Sequence, residues 1–347
     1  MRALTRVDSG KISVVIQGPL FRTLSPERNI FACIASVKKH LPDAEIIVST
    51  WKHEDISQVH ADQIILLDDP GCLLDDAGNQ INTNRMLHST WAGIQASKRP
   101  YVMKLRADHN LTSAALAVIG EPEETAPDDT KLFETPITLT TLYLRNPERM
   151  PMLFHVSDLV QFGTREAMIT LWNQPLLSRE DIFNGRPSRN PFGSFNGFSS
   201  VRVVAEQSLM LGALRTQGIN VNLRYPCDVR MDNLKLWDCV LRCNFRVLNC
   251  HQAGVDFPER FLTTGFALAT LYTAKEIEQL SELSLREYRL RIVRIWLNQY
   301  VWSCLRPAWW ISLAAIVLFS ASPAFGKAVR SQWRKLRKVT HADSYRT

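Results

Sequence analysis

Residues 79–110 read NQINTNRMLHSTWAGIQASKRPYVMKLRADHN, and this segment carries the pattern that decides the fold class. Four side chains recur at the spacing of one helix face: Leu87, Trp91, Ile94 and Gln95. After a break at Lys98-Arg99-Pro100, three side chains alternate as they do in a strand: Tyr101, Met103 and Leu105. The segment therefore predicts a polar loop, a helix of about four turns and a short strand that ends in charged residues.

Three strand-like runs precede this segment, at 11–17, 45–50 and 63–67, and a helical pattern at 26–40 follows the first of them. This order of strands and helices is typical of α/β proteins, so we expect a single Rossmann-type, mainly parallel sheet flanked by helices. The strands end at Gln17, Thr50, Asp68 and Arg106. Because parallel strands end at one edge of the sheet, a ligand site is expected there.

Further along the body, 153–162 and 220–225 resemble strands, and 165–172 and 206–217 resemble helices. Residues 121–130 form an acidic stretch that predicts a solvated loop, and 187–200 predict an irregular loop. No linker is evident before about residue 260, so the body is expected to be one domain.

The distribution of charge argues against a nucleic-acid-binding body. The 347 residues carry a net charge of +7, but residues 281–347 hold 12 Lys and Arg against 3 Asp and Glu, which leaves the first 280 residues at −2. The basic charge lies beside the uncharged apolar segment 307–326 and continues in six residues: Lys327, Arg330, Arg334, Lys335, Arg337 and Lys338. This combination predicts an interfacial or re-entrant anchor on an anionic membrane; a true span and a core or interface helix remain alternatives.

The tail beyond residue 273 has a helical pattern. One face is expected to be apolar and comprises Leu285, Tyr288, Ile292, Ile295 and Trp296. The opposite face is expected to be polar and comprises Glu287, Arg291 and Arg294. The N-terminus has no apolar run typical of a signal peptide, and the seven cysteines are expected to be reduced thiols of a cytosolic compartment.

Residues 82–108 resemble the nucleotide-sugar glycosyltransferases of the GT-A fold. A closer similarity, to the WavE lipopolysaccharide synthesis family, rests on a series of short motifs: VVIQGPL (14–20), EIIVSTW (45–51), DDPG (68–71), NTNRMLHSTWAGI (82–94), YVMKLRAD (101–108), FHVSDLVQFGT (154–164), LW (171–172) and EQSLM (206–210). The resemblance implies a GT-A-like glycosyltransferase domain, which we place at 1–270, followed by a helical membrane-associating tail at 271–347. It extends from about residue 11 to about residue 254, with the tail after 280 outside it.

The resemblance and the strand ends together predict the donor site. Asp108 would bind Mg²⁺ or Mn²⁺, with His251 as a possible second ligand. The donor-binding candidates are Gln17, Gly18, Asp68, Asp69, Asn84, Arg85, Lys104 and Arg106. Alternatives are a surface Asp–Arg pair at Asp108, helix capping by Asn82 or Asn84, and turn chemistry at Asp68 and Asp69. GT-A enzymes usually carry Asp-x-Asp, whereas this chain has Arg106-Ala107-Asp108, with a single carboxylate.

A general base is required to take the proton of the acceptor hydroxyl. Asp158, expected after a strand, and Glu206, at the start of a helix, are the candidates; a dipole interaction is the alternative for Glu206. A zinc site at Cys239, Cys243, Cys250 and His251 is disfavoured because the spacing is not a standard ligand pattern.

These features predict a transferase that moves a sugar from a nucleoside-diphosphate donor to a lipid-linked saccharide of lipopolysaccharide core or surface polysaccharide. It would be peripheral or monotopic on the cytoplasmic face of the inner membrane. The alternative is a catalytically silent, membrane-tethered protein that binds nucleotide-sugar. A nucleotidyltransferase is disfavoured because no Gly-rich triphosphate loop follows the first strand.

Overall fold

The computed structural model describes residues 4–74, 80–120, 130–188, 199–262 and 268–336. Its strands are β1 (Leu4–Arg6), β2 (Ile12–Gln17), β3 (Glu45–Trp51), β4 (Gln63–Leu67), β5 (Leu73–Leu74), β6 (Gln80–Ile81), β7 (Tyr101–Arg106), β8 (Asn110–Leu111), β9 (Val118–Gly120), β10 (Ile137–Thr140), β11 (Gln161–Thr164), β12 (Phe183–Ser188), β13 (Ser199–Val201), β14 (Phe245–Leu248) and β15 (Val255–Asp256).

The helices are α1 (Ile30–His40), α2 (Thr83–Ala96), α3 (Arg165–Trp172), α4 (Arg179–Ile182), α5 (Ala205–Thr216), α6 (Met231–Asn244), α7 (Glu259–Leu262), α8 (Ala274–Glu278), α9 (Leu285–Trp296), α10 (Pro307–Ala321) and α11 (Pro323–Leu336). Nearly all of the expected acidic loop 121–130 and most of the loop 187–200 lie outside the described residues.

One mixed sheet of seven strands forms the centre of the protein, in the order β14-β10-β11-β7-β2-β3-β4. Strands β7, β2, β3 and β4 pair in parallel, and β11 is antiparallel to both of its neighbours. The predicted mainly parallel sheet flanked by helices is therefore confirmed.

Side chains on both faces of the sheet are buried, as near-continuous apolar strands require. On one face Val14 and Ile16 lie in a core cluster with Ile34 and Val37 of α1. On the other face Val15 lies in the cluster that holds the apolar side of α2. Gly93 lets α2 approach β2 closely, because a β-carbon at this position would collide with the side chain of Val15.

Several predicted elements differ from those in the structure. Helix α1 begins at Ile30 because the side chain of Asn29 accepts hydrogen bonds from the backbone amides of Phe31 and Ala32. Of the expected strand 153–162 only the last two residues are in β11, and residues 153–160 are not in a strand. Residues 220–225 form no strand, whereas helices 165–172 and 206–217 are confirmed within one residue.

The C-terminal helices begin within the same core as the sheet. Tyr272, Ile277 and Ile295 lie in one buried cluster with Ile137 of β10 and Leu241 of α6. The division of the chain at residue 270 stays a prediction.

One residue of the expected polar face of α9 is buried: Arg291 is 5% exposed. Its guanidinium is ion-paired with Asp238 of α6 and donates a hydrogen bond of 2.9 Å to Glu148. This expectation was wrong because helical spacing shows only that Arg291 does not lie on the apolar face of the helix. It carries no information about acidic side chains from other elements, and Asp238 and Glu148 pair with Arg291 in the folded protein.

Within the described ranges, no individual helix has both the length and the apolar character needed to cross a bilayer. One bent pair, Leu285–Leu305 followed by Trp309–Ala321 at an angle of 89°, meets both criteria when its two parts are taken together.

Candidate functional site

The carboxyl edge of the sheet brings together residues that lie far apart in the chain. Gln17 at the end of β2 is in register with Arg106 at the end of β7. On the other side of β7, the antiparallel strand β11 begins at Gln161, opposite Lys104. Because β11 runs in the reverse direction, the segment that leads into it reaches the same edge. Asp158 therefore precedes a strand instead of following one, and it still lies at the expected edge.

The first group of charged residues, the Asp108 cluster, consists of Arg106, Asp108, His109 and Arg260. The Asp108 carboxylate accepts hydrogen bonds from Nε of Arg106 at 3.0 Å and from Nδ1 of His109 at 2.8 Å. Arg260 of α7 forms an ion pair with the other carboxylate oxygen. Asp108 and His109 are fully buried, whereas the side chain of Arg260 is 30% exposed.

Burial and charge oppose each other at Asp108. Burial by itself raises the pKa of this carboxyl, but Arg106 and His109 outweigh burial and hold the pKa well below its usual range. Burial lowers the pKa of His109 despite the attraction of Asp108, so the imidazole is neutral near pH 7. The cluster therefore holds two positive charges and one negative charge, and its net charge favours an anion.

Aromatic rings hold the two arginines of this cluster. Cζ of Arg106 lies 5.7 Å from the ring centroid of Phe21 and 5.6 Å from that of Phe261. The corresponding distances from Cζ of Arg260 are 5.6 and 4.9 Å. The ring of Tyr143 meets that of Phe261 edge-on, with centroids 5.6 Å apart, and connects this cluster to the next.

Three aromatic residues beside these groups have left-handed backbone conformations: Phe21 (φ 52°), Tyr143 (φ 67°) and Phe154 (φ 57°). Bulky residues rarely adopt this region, and each such conformation costs about 1–3 kcal/mol, to be offset by surrounding contacts. Such backbone strain is typical of functional sites.

The second group, the acidic pair, consists of Asp158 and Glu206. Burial and the nearby charge of Asp158 raise the pKa of Glu206 to about 7. His155 lies between the main chain and this pair: its Nδ1 is 2.7 Å from the carbonyl oxygen of Tyr143, and its Nε2 is 3.7 Å from Glu206. Burial, reinforced by Arg145, lowers the pKa of His155 to about 3, so its imidazole is neutral.

Lys104 binds to Asp158 of the acidic pair and does not belong to the Asp108 cluster. Its side chain is fully buried, its ammonium donates to the backbone carbonyl of Asp158, and Nζ lies 3.7 Å from the Asp158 carboxylate. The ammonium also lies 5.0 Å from the ring centroid of Trp172. Burial lowers the pKa of Lys104 to about 8.

Other predicted donor-binding residues are engaged within the protein. Arg85 makes a two-point ion pair with Asp69, at 2.7 and 2.5 Å, and donates to Asn82. The Asn84 side chain accepts from the amide of Leu177 and donates to its carbonyl. Neither Asn82 nor Asn84 caps α2 by a side-chain hydrogen bond, so the capping alternative was wrong.

The remaining donor candidates lie at or near the edge. Gln17 is buried and accepts a hydrogen bond of 2.7 Å from Ser89. Gly18 has a φ of 92°, which a side chain would strain. Asp68 is 84% exposed and pairs with Lys52 at 2.7 Å. Their roles in donor binding stay predictions.

The contacts of Asp108 do not fit the expected divalent cation site. Both of its oxygens accept from cationic or N–H groups, which repel a metal ion. His251 is exposed in the 3-10 turn Cys250–Gln252. Throughout the part of the chain that the structure describes, no three His, Cys, Asp or Glu side chains could hold a metal ion together. All seven cysteines are free thiols, as expected.

The sequence did not identify Arg260, His155 or Arg145 as site residues. Arg260 lies in a helix of four residues far from β7 in the chain, and no local pattern distinguishes it from a surface arginine. His155 lies in the strand-like run 153–162 and in the motif FHVSDLVQFGT, three residues before Asp158, but nothing in either pattern distinguishes it as a site residue. Arg145 lies in a segment to which the sequence assigned no element.

A cavity of about 240 Å³ lies away from these two groups. It is lined by one side of α5, including Ser208 and Arg215, and by the segment 220–223. None of the residues of the Asp108 cluster or the acidic pair lines it, so it is not part of the candidate site.

The structure thus defines an α/β protein with an anion-favouring cluster and an acidic pair at one sheet edge. The family model for WavE lipopolysaccharide synthesis matches residues 12–333, and the chain belongs to this family. The match includes most of the C-terminal tail, so the expectation that the tail lies outside the resemblance was wrong. No curated protein sequence is a significant match.

Among solved structures, the chain is similar to the catalytic domain of Drosophila β-1,4-galactosyltransferase 7 bound to xylobiose (11% identity, 63% of this chain, 66% of that chain, TM-score 0.26). It is also similar to Mycobacterium tuberculosis glucosyl-3-phosphoglycerate synthase with Mn²⁺ and UDP (12% identity, 69% and 83%, TM-score 0.28). A third structure is a Pyrobaculum calidifontis mannosyltransferase with GDP-Man and Mn²⁺ (12% identity, 94% and 88%, TM-score 0.32). The chain spans just under two thirds of the galactosyltransferase chain, and TM-scores this low do not support an inference about mechanism.

Proposed function

We propose that the chain is a glycosyltransferase of GT-A type that moves a sugar from a nucleoside-diphosphate donor to a lipid-linked saccharide. Lipopolysaccharide core and related surface polysaccharides are the proposed products, in keeping with the family. One observation carries the proposal: the Asp108 cluster and the acidic pair lie at the same sheet edge and are connected through Tyr143 and Phe261. A transfer reaction needs both parts, one for the leaving diphosphate and one for the acceptor proton.

In the proposed reaction the acceptor hydroxyl oxygen forms a bond to the anomeric carbon of the donor sugar. The bond between that carbon and the diphosphate oxygen breaks, and its electron pair leaves with the nucleoside diphosphate. The hydroxyl proton passes to the acidic pair. Glu206 suits the role of proton acceptor because burial and the charge of Asp158 raise its pKa to about 7, close to the working pH. Lys104 and His155 position the two carboxylates.

We further propose that α9 to α11 dock on the cytoplasmic face of the inner membrane. Large apolar side chains are exposed along this part of the chain: Trp296, Trp302, Leu305, Trp310, Val317 and Phe325. Exposed tryptophans beside basic residues favour the interface of an anionic bilayer. A lipid-linked acceptor lies in the same plane, so docking raises its effective concentration at the enzyme.

The test is donor binding and turnover by the full chain in detergent. Thermal unfolding is measured with UDP, GDP, CDP and their sugars, with Mn²⁺ and with EDTA, and release of nucleoside diphosphate is measured with rough lipopolysaccharide as acceptor. We expect one nucleotide class to raise Tm and its sugar to be turned over. We expect Glu206→Gln to bind that donor but to lose turnover.

Absence of stabilisation by every nucleotide would refute the proposal. Binding without turnover in any condition would instead favour the catalytically silent alternative. The comparison of Mn²⁺ with EDTA tests whether donor binding requires a divalent cation.

A further inference from the structure

We infer that Arg106 and Arg260 bind the diphosphate of the donor, and that Asp108 holds these two arginines in place instead of binding a metal ion. The inference rests on the proposed function and concerns the same site. It departs from the expectation that Asp108 is a metal ligand.

The first argument is the occupancy of the Asp108 carboxylate. Oδ1 accepts from Arg106 and His109, and Oδ2 accepts from Arg106 and Arg260. Because Asp108 is fully buried, neither of its oxygens is accessible to a cation that approaches from solvent. A metal ion on Asp108 would have to displace two arginines and stand beside their charges.

The second argument is that Arg260 has unused capacity to donate hydrogen bonds. Its Nε is buried and has no hydrogen-bond partner among the described residues. Its side chain is 30% exposed, so it is not closed off from a ligand. An arginine that pairs with a carboxylate and leaves its Nε without a partner is suited to a second, phosphate-like anion.

The third argument is preorganisation. Each guanidinium lies within 6 Å of the rings of both Phe21 and Phe261, and Asp108 fixes their separation. Charged groups that are held in advance stabilise a developing anion without reorganising during the reaction. The left-handed backbone of Phe21 at φ 52° is consistent with a residue held for this purpose.

The fourth argument is that the other cations considered for the diphosphate are engaged. Arg85 makes its two-point pair with Asp69, and both side chains are at most 27% exposed. Lys104 is fully buried on Asp158. Arg106 is also paired, but it shares the single carboxylate of Asp108 with Arg260, so these two guanidinium groups keep a net positive charge that the one-to-one pairs of Arg85 and Lys104 lack.

The experiment measures the dissociation constants of UDP, GDP and CDP and of the matching nucleosides, for the full chain in detergent with EDTA or with Mn²⁺. The variants are Arg260→Gln, Arg260→Lys and the control Arg149→Gln. Arg149 is 42% exposed and pairs with Glu276 at 2.6 Å, so it is a partly exposed, carboxylate-paired arginine like Arg260. Its hydrogen bonds in the described part of the chain go to Leu271 and Glu276 and not to the Asp108 cluster.

We expect the wild type to bind one nucleoside diphosphate equally well in EDTA. Arg260→Gln should weaken that binding by about 10- to 100-fold, the usual effect of losing hydrogen bonds between charged groups, while nucleoside binding and Arg149→Gln stay unchanged. Arg260→Lys keeps the positive charge but loses the planar set of N–H donors of the guanidinium, so we expect the affinity for the nucleoside diphosphate to fall about tenfold. If Arg260→Gln fails to fold, the lysine variant carries the test.

Either of two results would overturn the inference while leaving the proposed function intact. One is nucleotide binding that requires Mn²⁺; the other is wild-type affinity in the Arg260 variants. A wild type that binds none of the three nucleotides would overturn the inference and the proposed function together.

Discussion

At the scale of single residues, the site depends on how burial changes the ionisation of neighbouring side chains. Lys104, His155 and Glu206 have pKa values moved towards their neutral forms by burial. Asp108 moves in the opposite direction because cations surround it. The buried carboxyl of Asp108 is thus held as an anion, and the partly buried carboxyl of Glu206 is set to exchange a proton near neutral pH, which is the division of roles that acid–base catalysis uses.

The first prediction concerns the pH dependence of turnover. If Glu206 accepts the proton, kcat/KM should fall about tenfold per pH unit below about pH 7. Asp158→Asn removes the charge that raises the pKa of Glu206, so the acidic limb should move to lower pH. Glu206→Gln should reduce turnover by about 10²- to 10⁴-fold. The measurement is the pH profile of nucleoside diphosphate release, with the exposed Glu166→Gln as control.

The same shift affects stability. Because the folded-state pKa of Glu206 is raised, the contribution of this group to stability is present below its ordinary pKa and is lost as pH rises through about 7. The Glu206→Gln variant should not show this loss. Its free energy of unfolding, relative to that of the wild type, should therefore be higher at pH 8 than at pH 5.

For the pH profile of turnover, an acidic limb that does not move in Asp158→Asn would contradict the assignment of Glu206 as proton acceptor.

At the scale of elements, the contact of α2 with β2 sets the position of the edge residues on both. Helical spacing predicted α2 and placed Leu87 and Ile94 on the face that is buried, but Gln95, which was expected on the same face, is exposed. Alternation predicted β7 to its last residue. The short distance between α2 and β2 depends on Gly93, and hydrophobic periodicity does not identify a glycine as a contact residue.

The second prediction is that Gly93→Ala destabilises the protein. Alanine favours a helix by about 1 kcal/mol over glycine, but its β-carbon would collide with Val15 in the central strand. Overpacking of this kind typically costs about 1–3 kcal/mol, so the net change in the free energy of unfolding should be a loss. Urea denaturation measures it, and Gln95→Ala on the exposed side of α2 should cause no loss.

The third prediction concerns the attachment of α9 to the body. Arg291→Met leaves Asp238 buried without its cation and should cost about 3–5 kcal/mol at pH 7.5. Burial, opposed by Arg291, already raises the pKa of Asp238 to about 6. The cost should shrink towards pH 5, because an unpaired Asp238 takes up a proton there.

Arg294→Met is the matched control for this variant. Arg294 lies on the same helix, pairs with Glu148 at 3.5 Å and is 66% exposed, so less than about 1 kcal/mol is expected. Equal losses of unfolding free energy in the two variants would show that the buried pairing with Asp238 is not what secures α9.

At the scale of the whole molecule, the positive charge and the exposed tryptophans lie together in the C-terminal part of the chain. The first 280 residues carry a net negative charge, and the basic charge accompanies the exposed tryptophans of the C-terminal helices. In α11, Gly326 allows close packing against Phe319 of α10, since a β-carbon there would come within 2.7 Å of the ring. The exposed apolar side chains of these two packed helices belong to the surface that we propose for membrane docking.

The fourth prediction is that the full chain binds vesicles that contain anionic lipid, and binds neutral vesicles and high-salt samples less well. Replacing both Trp302 and Leu305 by Glu should reduce partitioning by at least about tenfold, since each side chain buries apolar surface. Leu176→Glu, at a residue 47% exposed elsewhere, is the control. Sedimentation with vesicles measures the bound fraction, and partitioning that the double variant leaves unchanged would refute docking through this surface.

The sequence by itself determined the α/β class, the strands that end at the site edge and the helices α2, α3 and α5, because these follow from local periodicity within about ten residues. It also placed Asp108 and Asp158 next to strand ends, and the family resemblance added Glu206 as a candidate base. Only the tertiary structure decided their partners: Arg260 on Asp108, Lys104 on Asp158, Asp69 on Arg85 and Asp238 on Arg291. These pairs join segments from 16 to 152 residues apart. Pairing between charges depends on their distance in space after folding, which no local pattern encodes.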